Sequence, residues 1–192
     1  MSSKAKVQQL AEIAEAVNTC QKCPLYKTAI QGVSGEGSSD AEVMFIGEGP
    51  GKEEDKQGRP FCGPAGKFLE EMLESVNLSR DKVYIGNVVK HRPPNNRDPE
   101  PAEIEACWPY LQAQIEIIDP KVIVILGRHC LARLMPGLGT ISQLHGRAFR
   151  HDGRYFMALY HPAVALYAGS MRQVLMEDFG KLKLLLNKID SE

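Results

Sequence analysis

The chain has 192 residues, 43% of them hydrophobic, and a formal net charge of -1. This is the size and composition of one ordinary globular core, and the near-neutral balance argues against indiscriminate binding to a polyanion. No apolar run approaches the roughly 20 residues that span a bilayer, and residues 1–16 are too polar for a secretory signal, so a cytoplasmic, monomeric, single-domain protein over residues 1–192 with no membrane contact is expected.

In chain order, a helical pattern over 7–17 leads into Cys20-Gln21-Lys22-Cys23. Residues 42–47 form a short apolar run read as a buried strand, followed by a segment from Gly47 to Gly66 with six glycines, three prolines and four carboxylates. Glycines let backbone approach a ligand and prolines fix the path between them, so this segment reads as a pocket wall with Gly47 and Gly49 against the ligand. Within it, Glu53, Glu54 and Asp55 read as a solvated loop face, with Asp55 available to hold the loop's shape. Pro64 suits the first turn of a helix over 64–76 whose positive end faces the pocket.

A second strand is expected over 83–90, then a stiff proline-rich loop from His91, with Asp98-Pro99 as a helix start. The next helix, 101–118, contains Pro109, which should bend or break it past Cys107. Strands over 122–127 and 155–160, with helices over 128–135 and 171–189, complete the alternation. That rhythm predicts a three-layer α/β/α fold with a central, mainly parallel four-stranded sheet, its ligand at the strands' carboxyl ends.

Cys20 and Cys23 have a spacing suited to one metal or cluster iron rather than to a disulfide in a reducing compartment, and Cys107 is the natural third ligand. His91, sixteen positions before Cys107, would add an imidazole. Spacing does not separate structural zinc from an iron-sulfur cluster. Cys62 lies in the pocket segment and Cys130 on an apolar helix face.

Charge is unevenly placed: residues 1–120 carry 13 Lys and Arg against 19 acids, and residues 121–192 carry 10 against 5. Six arginines fall between Gly127 and Val174, including Arg147, Arg150 and Arg172, with only Asp152 among them. Such a stretch serves either as phosphate contacts or as a solvated face.

Three segments in order, Gly47-Glu48-Gly49-Pro50-Gly51 through Gly58-Arg59-Pro60-Phe61, Asn87-Val88-Val89-Lys90, and His161-Pro162-Ala163, with Cys20-x-x-Cys23 ahead of them, resemble the iron-sulfur uracil-DNA glycosylases, family 4 of that superfamily. The resemblance spans nearly the whole chain. It implies a monofunctional hydrolase of base excision repair that flips uracil out of single- or double-stranded DNA, cleaves its N-glycosidic bond and leaves an abasic site. It also implies a 4Fe-4S cluster, with zinc as the second choice. The family pattern has Cys after Asn-Val-Val-Lys, where this chain has His91. Related uracil-binding homologues that bond covalently to abasic DNA carry His there, which implies ligation by Cys20, Cys23, His91 and Cys107. Those homologues also carry an inserted basic loop with a nucleophilic histidine that is lacking here, which favours turnover over trapping. A covalent uracil-DNA binder and a non-catalytic iron-sulfur or zinc module are the alternatives.

The resemblance assigns roles residue by residue. Phe61 would stack on the extruded ring, and the Asn87 amide would pair with uracil's adjacent carbonyl and N–H. Glu48 would orient or deprotonate the attacking water, and His161 would donate to the developing uracil oxyanion. Leu166, with Tyr167 beside it, would fill the space the flipped nucleotide leaves, and Arg147 and Arg172 would contact phosphate. No Schiff-base lyase step is implied, because Lys52, Lys56 and Lys90 have no clear desolvated setting in the sequence.

Overall fold

The computed structural model describes residues 2–189 and 191. Its elements in chain order are α1 (Ser3–Asn18), a 3-10 turn (Pro24–Lys27), β1 (Glu36–Gly37), β2 (Val43–Gly47), α2 (Lys52–Gln57), α3 (Pro64–Ser75), β3 (Tyr84–Asn87) and a 3-10 turn (Pro94–Asn96). There follow α4 (Pro101–Ile118), β4 (Val122–Leu126), α5 (Arg128–Leu134), α6 (Ile141–Leu144), β5 (Arg147–His151), β6 (Arg154–Leu159), α7 (Val164–Tyr167) and α8 (Gly169–Ile189).

The strands form one sheet in the order β1-β3-β2-β4-β6-β5. The four inner strands are parallel and are the four expected from the sequence. The sheet has six strands rather than four, because β1 and β5 add antiparallel edges. Both were hidden for physical reasons: β1 is two residues long, and β5, Arg-Ala-Phe-Arg-His, lies on the surface with only Phe149 half-buried. The Asp152-Gly153 turn between β5 and β6 has positive φ at both residues (46° and 80°), the geometry of a tight hairpin, and that dipeptide was the available signal.

Alternating side chains of the buried strands split the core into two layers. Met44, Ile46, Ile123 and Ile125 pack with Leu111 and Ile115 of α4 and Leu131 of α5. Val43, Phe45, Val122 and Val124 pack on the other side with Leu69, Met72 and Leu73 of α3 and with Leu175, Phe179 and Leu182 of α8. The sheet is thus covered on both faces. No helix among the described residues is long and apolar enough to cross a membrane.

Three local expectations change. Pro109 does not break α4, which runs on to Ile118; burial of Leu111, Gln114, Ile115 and Ile118 beyond the proline holds the second half in place. The helix begins at Glu100 rather than Asp98, because Glu100 and Glu103 form a reciprocal capping box with Pro101 following, and Arg97 clamps Glu103 at 2.6 and 2.8 Å. Residues 52–57 form a helix, not an open loop, and Asp55 inside it is buried, accepting the Ile30 N–H at 2.8 Å.

Candidate functional site

The carboxyl ends of β2, β3 and β6 open onto a cavity of about 320 Å³, in the range of small-ligand sites. Glu48, Gly49 and Gly51 line it from the turn after β2, Phe61 and Glu54 from the segment that follows, Asn87 from the end of β3, and His161 from just past β6. The parallel register pairs Gly47 with Asn87, so the glycine turn and the amide share one strand level.

Glycine is required at that level. A Cβ on Gly47 would stand 2.4 Å from Asn87 Oδ1 and 2.6 Å from Phe61 Cζ, so any side chain would drive the amide and the ring apart. Gly66 does the equivalent on α3, where a Cβ would lie 1.7 Å from the Phe61 carbonyl oxygen. Phe61 itself has φ of 50° and is held there by Arg80, which donates to the carbonyls of Phe61 (3.0 Å) and Pro60 (2.6 Å) and pairs with Glu36 (2.6 Å). The ring is therefore both a member of the core and, at 5% exposure, one wall of the cavity.

Asn87 is 1% exposed, and its Oδ1 has no hydrogen-bond partner among the described residues. A buried carbonyl oxygen without a donor costs about 1–3 kcal/mol. At the wall of a cavity it is a recognition atom awaiting an N–H.

His161 lies over Phe61, ring centroids 5.4 Å apart and planes at 27°. Its Nδ1 accepts the Ala163 backbone N–H at 3.2 Å, which leaves the proton of the neutral ring on Nε2 as a donor. Desolvation pushes its pKa down to about 4, so the ring is uncharged at neutral pH. Glu48 is displaced the other way. Desolvation raises its carboxyl above the ordinary range, the His129 imidazole opposes this, Asp98 adds to it and Arg128 lowers it. A reaction that needs ionised Glu48 should therefore gain rate with rising pH through a midpoint above 4.5, and His161 should contribute no break between pH 5 and 8. A single-turnover pH profile whose break near pH 6.5 vanishes in His161→Asn would contradict this assignment.

Glu54 is not part of a solvated face. Its carboxylate accepts the Gly63 N–H at 2.8 Å and stands where a Gly51 side chain would go, 2.7 Å from an ideal Cβ. Backbone geometry that only the folded chain reveals put it there. Tyr167, 89% exposed, lines the cavity mouth beside Leu166, 48% exposed. Arg147 sits at the start of β5 opposite Ala158, hence at the sheet end where the cavity opens. Arg172 does not line it and is paired with Glu71 and stacked over the Phe68 ring at 4.5 Å. Arg150 faces Tyr155 at the other end of the hairpin. Lys90, expected to lack a desolvated setting, is fully buried and pushed down to about 7 by desolvation. Its Nζ is bound to Ser34 O (3.0 Å) and Gln114 Oε1 (2.7 Å), and it does not line the cavity.

The metal-ligand candidates do not line this cavity. Cys23 and Cys107 are within side-chain hydrogen-bonding reach, burial raises both their pKa values with a smaller addition from nearby Cys20, and Cys20 and His91 line one small hollow. Burial pushes the Cys107 thiol up to about 11, against which its Sγ accepts the Lys90 backbone N–H at 3.4 Å. Three thiols and an imidazole are a donor set that zinc and an iron-sulfur cluster both accept. Among the described residues, the ligand atoms of Glu48, Asp98 and His129 form a separate group, all within 4.8 Å of one another. Cys130 is buried on α5 in the apolar core, and Cys62 does not line the cavity.

Residues 34–181 match the sequence profile of the Uracil DNA glycosylase superfamily. The chain is 46% identical over 188 residues to a type-4 uracil-DNA glycosylase of Sulfurisphaera tokodaii, covering 93% of this chain and 86% of the relative. It is 44% identical over 191 residues to that of Archaeoglobus fulgidus (95% and 96% covered) and 43% identical over 186 residues to that of Thermotoga maritima (94% and 97% covered).

Proposed function

Because the chain belongs to the uracil DNA glycosylase superfamily, we propose that it hydrolyses the N-glycosidic bond of uracil in DNA, releasing free base and leaving an abasic site for base excision repair. The observation that carries this reading is the unpaired Asn87 Oδ1 at the wall of a cavity also lined by Phe61, Glu48 and His161.

A base inside a duplex cannot reach such a cavity, so the nucleotide is extruded, at a cost of a few kcal/mol. Tyr167, at the mouth, and the neighbouring exposed Leu166 fill its place, and Arg147 contacts a flanking phosphate. Uracil lies on Phe61. Its N3–H donates to Asn87 Oδ1 while the Asn87 amide N–H donates to O4; cytosine, with an acceptor at N3 and a donor at N4, leaves both groups mispaired. Gly47 permits this approach and Gly49 carries the chain past the base, where a Cβ would strike Val89.

As the C1′–N1 bond lengthens, its electron pair passes to uracil and the sugar becomes cationic. The neutral His161 Nε2–H donates to the oxygen on which negative charge grows, a bond that strengthens toward the transition state. Ionised Glu48 favours the cationic sugar and takes the proton of the water whose oxygen adds to C1′. No amine attacks carbon, so strand cleavage does not follow. On a denaturing gel after incubation with single-stranded uracil-DNA, the expected result is unshifted, alkali-labile DNA produced over many turnovers. A stoichiometric adduct that survives denaturation would instead identify a trapping protein.

Cys20, Cys23, His91 and Cys107 would hold a 4Fe-4S cluster, supported by their grouping and by the likeness of the chain to type-4 uracil-DNA glycosylases. When bound, the group supplies a cross-link between α1, the loop after β3 and α4. His91→Ala is expected to lose iron, sulfide and visible absorbance; full retention of all three would show that another residue is the fourth ligand.

A further inference from the structure

Outside the groups that touch the base, one side chain stands against the carboxylate assigned to the attacking water. His129, the second residue of α5, brings Nε2 to 3.7 Å from Glu48 Oε2 and 3.1 Å from Asp98 Oδ2, while Arg128 Nε donates to the same nitrogen at 3.0 Å. Arg128 also pairs with Asp98 at 2.7 Å. The groups facing the imidazole are thus Glu48 from the turn after β2, Asp98 from the loop before α4, and Arg128 from α5 itself. Neither His129 nor Asp98 lines the cavity, whereas Glu48 does.

We propose that His129 is a positioning residue for Glu48: it engages Oε2 from outside the cavity and so leaves the other carboxylate oxygen turned toward the substrate. The inference rests on the proposed role of Glu48 and adds a residue and a device to it.

Chemistry and geometry support it together. One ring nitrogen faces a guanidinium N–H and two carboxylate oxygens, so its bonding depends on where the ring's proton sits. With Nε2 bare, it accepts from Arg128. With Nε2–H, it donates to a carboxylate, and Asp98 and Glu48 are both within reach of a small rotation. The 3.7 Å separation to Glu48 is longer than a formed hydrogen bond, as such contacts often are before substrate closes the site. Without the imidazole, Glu48 would face Asp98 unshielded: the two carboxylates would repel, the Glu48 carboxyl would hold its proton to higher pH, and its oxygen would lose a fixed direction. An error of about 1 Å in a reacting group can cost about a hundredfold in rate. A carboxylate left free to swing is such an error.

The test is a double-mutant cycle on single-turnover uracil release, with DNA affinity measured alongside. His129→Ala is expected to slow release about tenfold to a hundredfold at neutral pH. Affinity should hold, and the acid limb of the pH profile should move to higher pH. His129→Gln, which keeps an N–H donor at the same reach, should recover the rate to within about threefold of the parent. In a Glu48→Gln background, His129→Ala should cost nothing further, because the group it orients is gone. If Glu48→Gln slows release and adding His129→Ala multiplies that loss by the full factor seen alone, His129 acts elsewhere and the inference fails while the role of Glu48 stands. If His129→Ala leaves rate and pH profile unchanged, the inference fails outright. If Glu48→Gln itself releases uracil at the parental rate, the assignment of Glu48 falls and the inference with it.

Discussion

Replacing Glu48 with Gln is expected to lower single-turnover cleavage of uracil-DNA by about a hundredfold or more while changing DNA affinity by less than about threefold, the scale of a lost general base. The substitution preserves volume and removes charge. Two contributions disappear together: the proton acceptor for the attacking water and the negative charge that favours a cationic sugar. The acid limb of the pH profile, which Glu48 places above the ordinary carboxylate range because its carboxyl is desolvated, should vanish from the residual activity. Stopped-time assays with enzyme in excess, paired with equilibrium binding, separate chemistry from affinity. A parental rate constant would remove Glu48 from the mechanism.

Asn87→Asp should alter which base is cleaved. An ionised aspartate accepts from uracil N3–H but has nothing to donate to O4, and two acceptors then face each other. At a position this buried, the carboxylic acid is pushed toward its neutral form. A neutral acid presents one O–H and one C=O, which match cytosine's N3 acceptor and N4 donor. The ratio of uracil to cytosine cleavage is expected to fall by about a hundredfold or more, since a site built to hydrogen-bond one edge rejects the mismatched edge by unpaired polar groups. Rates on matched oligonucleotides that differ only in the target base give the ratio directly. An undiminished preference for uracil would mean that Asn87 does not read the base.

These two side chains were legible in the sequence for a physical reason. Glu48 follows the apolar run 43–46, and Asn87 is a polar residue inside the run 83–90; the fold ends β3 at Asn87, and the carboxyl ends of the parallel strands bring Glu48, Asn87 and His161 to one cavity. The two-face burial of β2 and β4 was readable from their unbroken apolar runs. What escaped was set by backbone path rather than residue type. Arg80 lies in a polar connection with no periodicity, and only the fold brings it under the Phe61 carbonyl. Glu54 looked like one of three loop acids until the helix over Lys52–Gln57 turned it toward Gly63. His129 begins a helix whose pattern marks only its apolar face, and its partners Glu48 and Asp98 lie 81 and 31 positions away. The basic stretch between Gly127 and Val174 is less basic in the fold than in the sequence. Asp98, Glu105, Asp119 and Glu71 pair with Arg128, Arg133, Arg154 and Arg172, so most of that excess is answered by acids from distant sequence.

The account stands on one convergence, with an acid, an amide and a neutral imidazole arranged around a pyrimidine lying on Phe61. Its most direct measurement is chemical identification of the product when the parent protein is incubated with oligonucleotides carrying a single uracil, cytosine or thymine. The expected result is free uracil in amounts equal to the abasic sites formed, with cytosine and thymine strands left intact. Binding of the uracil strand with no free base released, or release of all three bases alike, would contradict it.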